Sequence, residues 1–330
     1  MFANDEWLSQ VTEEIVDPKR EIVDPHHHLW DGPPLDYGLS HLWGDTQSGH
    51  NVTQTVFMEC GSDYLSDGPE HLRPVGETLY IARAAAESAK DKSKATISAL
   101  VAHADLYHPD LDAILDAHEA AANGLFRGIR HSGAWDPNPE AFTIPFRGVE
   151  GQYLDPKFQS GVARLGERGL TYDTWHYHPQ NQDYLRLARA VPSTTMILDH
   201  FGTPLGIGQY AGKRDEIFKV WKDDIAAIAE CPNVNAKIGG LAMPDNGIGW
   251  MGRDLPPTSD EFVEDQARYY HHAIKCFGPD RCMFESNFPV DRLSVSYHVM
   301  WNGIKKIAAQ YSDAEQNMMF SGTARKIYRL

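Results

Sequence analysis

The sequence predicts a (β/α)8 barrel, an α/β fold, on three observations. Eight short apolar runs rich in β-branched residues recur along the 330 residues. Amphipathic stretches of helical period lie between them. Histidine, arginine and carboxylate residues gather where the apolar runs end. Strand and helix in repeated alternation mean a parallel sheet with helical crossovers. Eight such units in about this length close into a barrel. The alternative, an open doubly wound sheet, would bring a glycine-rich phosphate turn after its first strand. Here that turn holds histidines.

In chain order the expected strands are Ile22–Pro25, Gln54–Glu59, Ala95–Val101, Phe126–Arg130, Leu170–His178, Thr195–His200, Val234–Ile238 and Cys282–Asn287. Helical periodicity marks Glu77–Lys90, Leu111–Ala122, Gln182–Ala190, Glu216–Glu230 and Glu261–Phe277 between them. Tyr297–Gln310 and Asp313–Tyr328 follow the last strand, so the C-terminus carries an extra helix. Residues 1–21 read as an N-terminal arm and 22–330 as a single barrel domain. Four long Gly- and Pro-containing connections, Asp31–Val52, Ser132–Pro156, Gly202–Arg214 and Leu241–Thr258, follow strands. In a barrel that end carries the active site, and loops this long there read as substrate walls.

The formal charge is −16, from 30 basic and 46 acidic residues. That argues against nucleic acid and against an anionic membrane surface as partners. No apolar run approaches the length of a membrane span. Met1 to Lys19 alternates acidic and apolar residues without a signal-peptide core, so a cytoplasmic location is expected. Cys60, Cys231, Cys276 and Cys282 form no close pair, which disfavours a thiolate zinc site. Cys60 and Cys282 read as buried small hydrophobes.

The stretch Asp24-Pro25-His26-His27-His28-Leu29-Trp30-Asp31 carries the strongest chemical signal. Side chains on a strand alternate, so His26 and His28 share a face and His27 takes the other. Two imidazoles on one face at a strand end can share a metal ion. The same pattern recurs downstream. Strand four ends in Arg127-Gly128-Ile129-Arg130-His131. Strand five ends in Trp175-His176-Tyr177-His178, strand six in Asp199-His200-Phe201-Gly202, and strand eight in Glu285-Ser286-Asn287-Phe288-Pro289. Arg127 and Arg130 fall on opposite faces, and each reads equally as a structural ion pair or a substrate contact; Arg130, nearer the strand end, is the better placed to hold a substrate carboxylate with its guanidinium fork. Trp30, Trp43, Trp135, Trp175 and Trp250 fall at or near the loop face, as an aromatic wall or as packing.

Three motifs together resemble the amidohydrolase superfamily, in its amidohydrolase-2 branch of barrel metal-dependent hydrolases. They are Asp24-x-His26-x-His28-x-Trp30, Leu198-Asp199-His200-x-Gly202-x-Pro204 and Ser286-Asn287-Phe288-Pro289. The resemblance runs from about Ile22 to Leu330. It implies that His26, His28 and His178 are the metal ligands, and that His176, on the face of His178, can stand in for it or touch substrate. It implies that His200 is a ligand or the acid/base. It also implies a divalent metal, zinc in the first instance. The branch includes sugar-lactone and muconolactone hydrolases, a metal-free pyrone-dicarboxylate lactonase and decarboxylases. One departure stands out. The usual last-strand Asp is Asn287, and an amide is neither a general base nor a good zinc ligand. Glu285, two residues earlier on the same face, either supplies the missing carboxylate or only pairs with an arginine.

The expected function is therefore hydrolysis of a lactone or related cyclic ester, a small carboxylated molecule, by activated water. His200, Glu285 and Asn287 are the catalytic candidates, with Arg130, His176 and Trp30 on the substrate. A decarboxylase of an unsaturated or aromatic acid is the alternative on the same scaffold, and a non-catalytic barrel is the third. Oligomeric state is open, a homo-oligomer included.

Overall fold

The computed structural model describes residues 4–32 and 35–330. Residues 1–3 of the arm, and Pro33 and Pro34 of the first loop, lie outside the described residues. Eight strands form one parallel sheet: β1 (Glu21–His27), β2 (Asn51–Met58), β3 (Thr96–Ala102), β4 (Phe126–Arg130), β5 (Thr171–Thr174), β6 (Met196–Leu198), β7 (Val234–Ile238) and β8 (Cys282–Phe284). They pair in sequence order from β1 to β8. The sheet closes just beyond β8. There Asn287 N donates to His26 O at 3.0 Å and His28 N donates to Phe288 O at 2.7 Å. A helix follows every strand: Leu39–Thr46, Val75–Ser88, Leu111–Ala121, Pro156–Glu167, Asn181–Ala190, Arg214–Ala229, Ser259–Phe277 and Tyr297–Ala308. The expected barrel is the fold observed.

The helix starts follow local chemistry. Pro156 fills the first helical position, and the Asp155 side chain takes the Lys157 N–H at 2.8 Å. Thr258 and Glu261 form a reciprocal capping box ahead of the long helix Ser259–Phe277. The segment before β1 lies against the helices. Glu13 takes the Ser259 N–H at 2.7 Å, and Val16 N donates to Asn302 Oδ1 at 2.8 Å.

Several boundaries differ from the expected ones. The loop expected over Asp31–Val52 contains the helix Leu39–Thr46. β5 stops at Thr174, and its continuation turns at His178–Gln180, where Pro179 has no N–H for the ladder. β6 stops at Leu198, because His200 and Phe201 are left-handed (φ 53° and 58°). β8 stops at Phe284. The final stretch runs Asp313–Asn317, then a π-helical turn Met318–Gly322, then Thr323–Tyr328.

The main apolar core lies between strands and helices, with Trp221 and Trp301 fully enclosed. A second cluster fills the barrel: Val23, Val56, Val101, Ile197 and Met283 point inward and meet Ala324 and Tyr328 of the C-terminal helix. The lower barrel is thus packed, and the polar residues are forced upward to the loop end. Truncating Met283 to Ala there leaves a void costing about 2–5 kcal/mol.

Candidate active site

A register shift between Asp24 and His27 places one extra residue on β1 opposite β2. Such a bulge re-aims side chains. His27 turns outward to Thr55 Oγ1 at 3.1 Å. His26 and His28 turn inward, with ring centres 5.0 Å apart. His28 Nδ1 is held by the Met58 carbonyl at 2.9 Å.

Glu285 sits where the chain leaves β8 and is fully buried. Its Oε1 lies 2.7 Å from His200 Nδ1 and takes the His200 backbone N–H at 3.2 Å. Its Oε2 lies 2.9 Å from His26 Nδ1. One carboxylate therefore joins the two imidazoles. Two glycines after β7 make the room. A Cβ on Gly240 would stand 2.3 Å from His200 Nδ1, and one on Gly239 would stand 2.6 Å from Glu285 Cγ. Burial pushes the Glu285 carboxyl up to about 8, against the pull of Lys237. Burial likewise drives His200 down to about 3 and His26 and His28 well below the ordinary range. The imidazoles are neutral at physiological pH.

Beneath this cluster lies a buried ionic network. Lys237 projects inward from β7, with Nζ 3.0 Å from Asp173, 3.3 Å from Asp199 and 3.4 Å from His26 Nδ1. Burial pulls the Lys237 ammonium down, but Asp199, Asp173 and Glu285 together outweigh it and hold the proton on. The Tyr328 hydroxyl donates to Asp173 Oδ2 from below. Burial raises the Asp199 carboxyl to about 7.

Above the cluster a cavity of about 690 Å³ opens at the C-terminal face. His28, Arg130, His200 and Asn287 reach its floor, and Trp30 and Trp175 stand in its wall. Trp30 packs on His28 with ring centres 5.5 Å apart.

A family model described as an amidohydrolase matches residues 23–330. The chain belongs to that family. It is an enzyme of the family in the barrel form described above. An uncharacterized protein of Sinorhizobium fredii, y4mH, is 31% identical over 94% of this chain and 98% of that protein. The L-fucono-1,5-lactonase of Burkholderia multivorans is 25% identical over 93% of this chain and 96% of its own. A crystal structure of a Burkholderia multivorans amidohydrolase with bound zinc superposes with a TM-score of 0.73 at 22% identity, covering 94% and 99% of the two chains.

Within this family frame, most but not all of the expected residues converge. His26, His28, His200, Glu285, Asn287, Arg130 and Trp30 meet at one place. His178 does not join them. Because β5 ends early, its ring sits on a turn, takes the Leu205 N–H at 3.2 Å and packs on Tyr210. His176 is enclosed beside β5, with Nε2 3.0 Å from Asn181 Oδ1. It does not line the cavity. The residues that can hold a divalent ion are His26, His200 and Glu285, whose ligand atoms lie within 4.8 Å of one another. Arg130 reaches the site, but its fork is engaged. Nε meets Glu59 Oε1 at 2.8 Å, and Nη2 donates to the Glu59 carbonyl. Trp43 and Trp250 bond to Ala95 O and Asp265 and take no part.

Asn287 has a second duty. Its Nδ2 donates to Asp291 Oδ1 at 2.8 Å, and Asp291 Oδ2 takes the Ala242 N–H at 3.0 Å. It also adopts a left-handed backbone (φ 56°), which asparagine tolerates well. No motif points to Lys237, Asp173 or Glu59, and Asp199 enters only as part of the strand-six motif. Lys237 did carry a signal: it is a lone lysine in the apolar strand Val234–Ile238, and strand alternation turns it inward with Met283.

Proposed function

We propose that this enzyme hydrolyses a lactone or related cyclic ester bearing a carboxylate, with His200 activating water. The observation that carries this reading is the Glu285–His200 pair beneath the cavity. Glu285 engages Nδ1, so Nε2 is the nitrogen left for the cavity that His200 lines. There a neutral imidazole takes a proton from water as its oxygen attacks the ester carbonyl. The ring C–O bond then breaks, and the imidazolium returns the proton to the departing alkoxide. In its ionised form Glu285 accepts from Nδ1–H, orients His200 and balances the charge that forms on it. Arg130, fixed by Glu59, supplies positive charge beside the developing oxyanion.

Two imidazoles and a carboxylate suit a divalent ion, and we propose zinc, which His26 and Glu285 would hold with His28 alongside, leaving His200 Nε2 free as the base. When bound, it would polarise the substrate carbonyl. Lys237 faces the same His26 nitrogen, so ion binding and the lysine position are linked.

The test is elemental analysis of protein purified without added metal, followed by pH-stat assays on a lactone panel. Base uptake without carbon dioxide supports the reading. Carbon dioxide release from unsaturated or aromatic acids moves the chemistry to decarboxylation. Turnover of neither class overturns it.

A further inference from the structure

The floor arginine is engaged, but a second arginine overhangs the cavity. Arg147 lies on the connection between β4 and the helix Pro156–Glu167 and lines the cavity mouth. Among the described residues no carboxylate lies within ion-pair distance of it. Its guanidinium crosses to the loop after β2, where a Cβ on Gly61 would stand 3.1 Å from Nη2. The loop that carries it is fixed at both ends. Asp245 takes the Thr143 and Ile144 N–H groups at 2.8 and 3.3 Å, and Gly148 N donates to Ala134 O at 3.0 Å. Glu59, the acid whose carboxylate feels the Arg147 charge, is already paired with Arg130, so an arginine on a held loop, aimed at a cavity and in no ion pair, is prepared for an anion.

The space between mouth and floor is mostly apolar. Leu35, Ile144, Val149, Met243 and Leu293 stand with Trp30 and Trp175 around it. His103, Asp105, His131, Ser132 and Gln152 also reach the cavity, but hydroxyls turned to the apolar walls would lack partners, at a cost for each. An apolar body suits them.

We propose that Arg147 is the specificity-determining residue of this site: it receives the carboxylate of an acid whose body is apolar, while the reacting ester group lies at His200. The assignment of the ester to His200 rests on the hydrolase reading above. The carboxylate subsite does not.

Calorimetric binding of 3-phenylpropionate and its uncharged amide separates the two. Wild-type protein should bind the acid at least tenfold more tightly than the amide. Arg147→Gln should bring the two within about twofold, and Arg147→Lys should keep part of the preference. An acid preference that survives Arg147→Gln overturns the proposal, as does equal binding of both probes, or binding of neither, by the wild type. Protein that binds the acid through Arg147 yet opens no lactone keeps the subsite and loses the hydrolase reading. Lactone turnover with unaltered acid preference in Arg147→Gln does the reverse.

Discussion

Glu285 Oε1 lies 2.7 Å from His200 Nδ1, and the same oxygen takes the His200 backbone N–H. Ring and main chain are thus fixed by one atom, at a residue whose backbone is itself left-handed. Replacing His200 by Ala is expected to lower turnover by roughly a hundredfold or more while the protein stays folded. Glu285→Gln should lose a comparable factor, because an amide cannot balance an imidazolium. Steady-state kinetics with circular dichroism check both. Near-normal turnover in either variant removes that residue from the mechanism.

Asn287 and Asp291 make a directed pair, amide donor to carboxylate acceptor. Asn287→Asp restores the usual family residue but sets two carboxylates against each other in a buried site. It should destabilise the protein by about 1–3 kcal/mol. Adding Asp291→Asn should recover most of that loss. Urea unfolding of both single variants and the double gives the coupling energy. Additive effects would mean that the pair does not explain the asparagine.

Lys237 neutralises two buried carboxylates and touches His26. Lys237→Met keeps the volume and removes the charge, leaving Asp173 and Asp199 unpaired. The expected cost is about 3–5 kcal/mol in urea unfolding. A cost below about 1 kcal/mol would show that the network reorganises around the gap.

Acid should unfold this protein cooperatively. Burial lowers His50, His118, His131, His176 and His178 each to about 4. Their unfolded value is about 6.5. The unfolded chain therefore binds more protons between those values. Stability is fully present above pH 6.5 and is lost as pH falls toward 4, by about 1.4 kcal/mol per proton per pH unit. Unfolding free energy measured from pH 7 to pH 4.5 should fall, with a slope reduced by the carboxyls of Asp24, Glu77, Asp199 and Glu285, which burial raises so that the folded chain binds protons over the same range. A flat profile would contradict the buried neutral histidines.

The barrel was legible because its signal is repetitive. Each apolar run and each helical period reports the same alternation, so an error of a few residues at one boundary leaves the topology intact. The β1 histidines were legible for a local reason: His26, His27 and His28 alternate among themselves, although the bulge shifts their parity relative to Val23. His178 was misplaced because parity was carried past Thr174, where β5 has already ended. The pairing of Lys237 with Asp173 and Asp199 was not legible because its members lie on different strands. Asp173 and Lys237 stand 64 positions apart in the chain. Arg130 was found, but its ion-pair partner was not, because nothing near it in sequence announces Glu59. Proximity across a barrel interior is set by register and shear, which leave no trace in any one segment.

The seam where β1 meets the chain beyond β8 has a kinetic consequence. Ser286 N reaches back 262 positions to Asp24, and Asn287 and Phe288 bond the main chain of His26 and His28. Contacts of such separation are late events in folding. The histidines near the start of the chain hold their final orientation only after nearly the whole polypeptide has been laid down and docked. An early, partly wound barrel carries these histidines without their geometry, and so has no organised chemistry to misdirect.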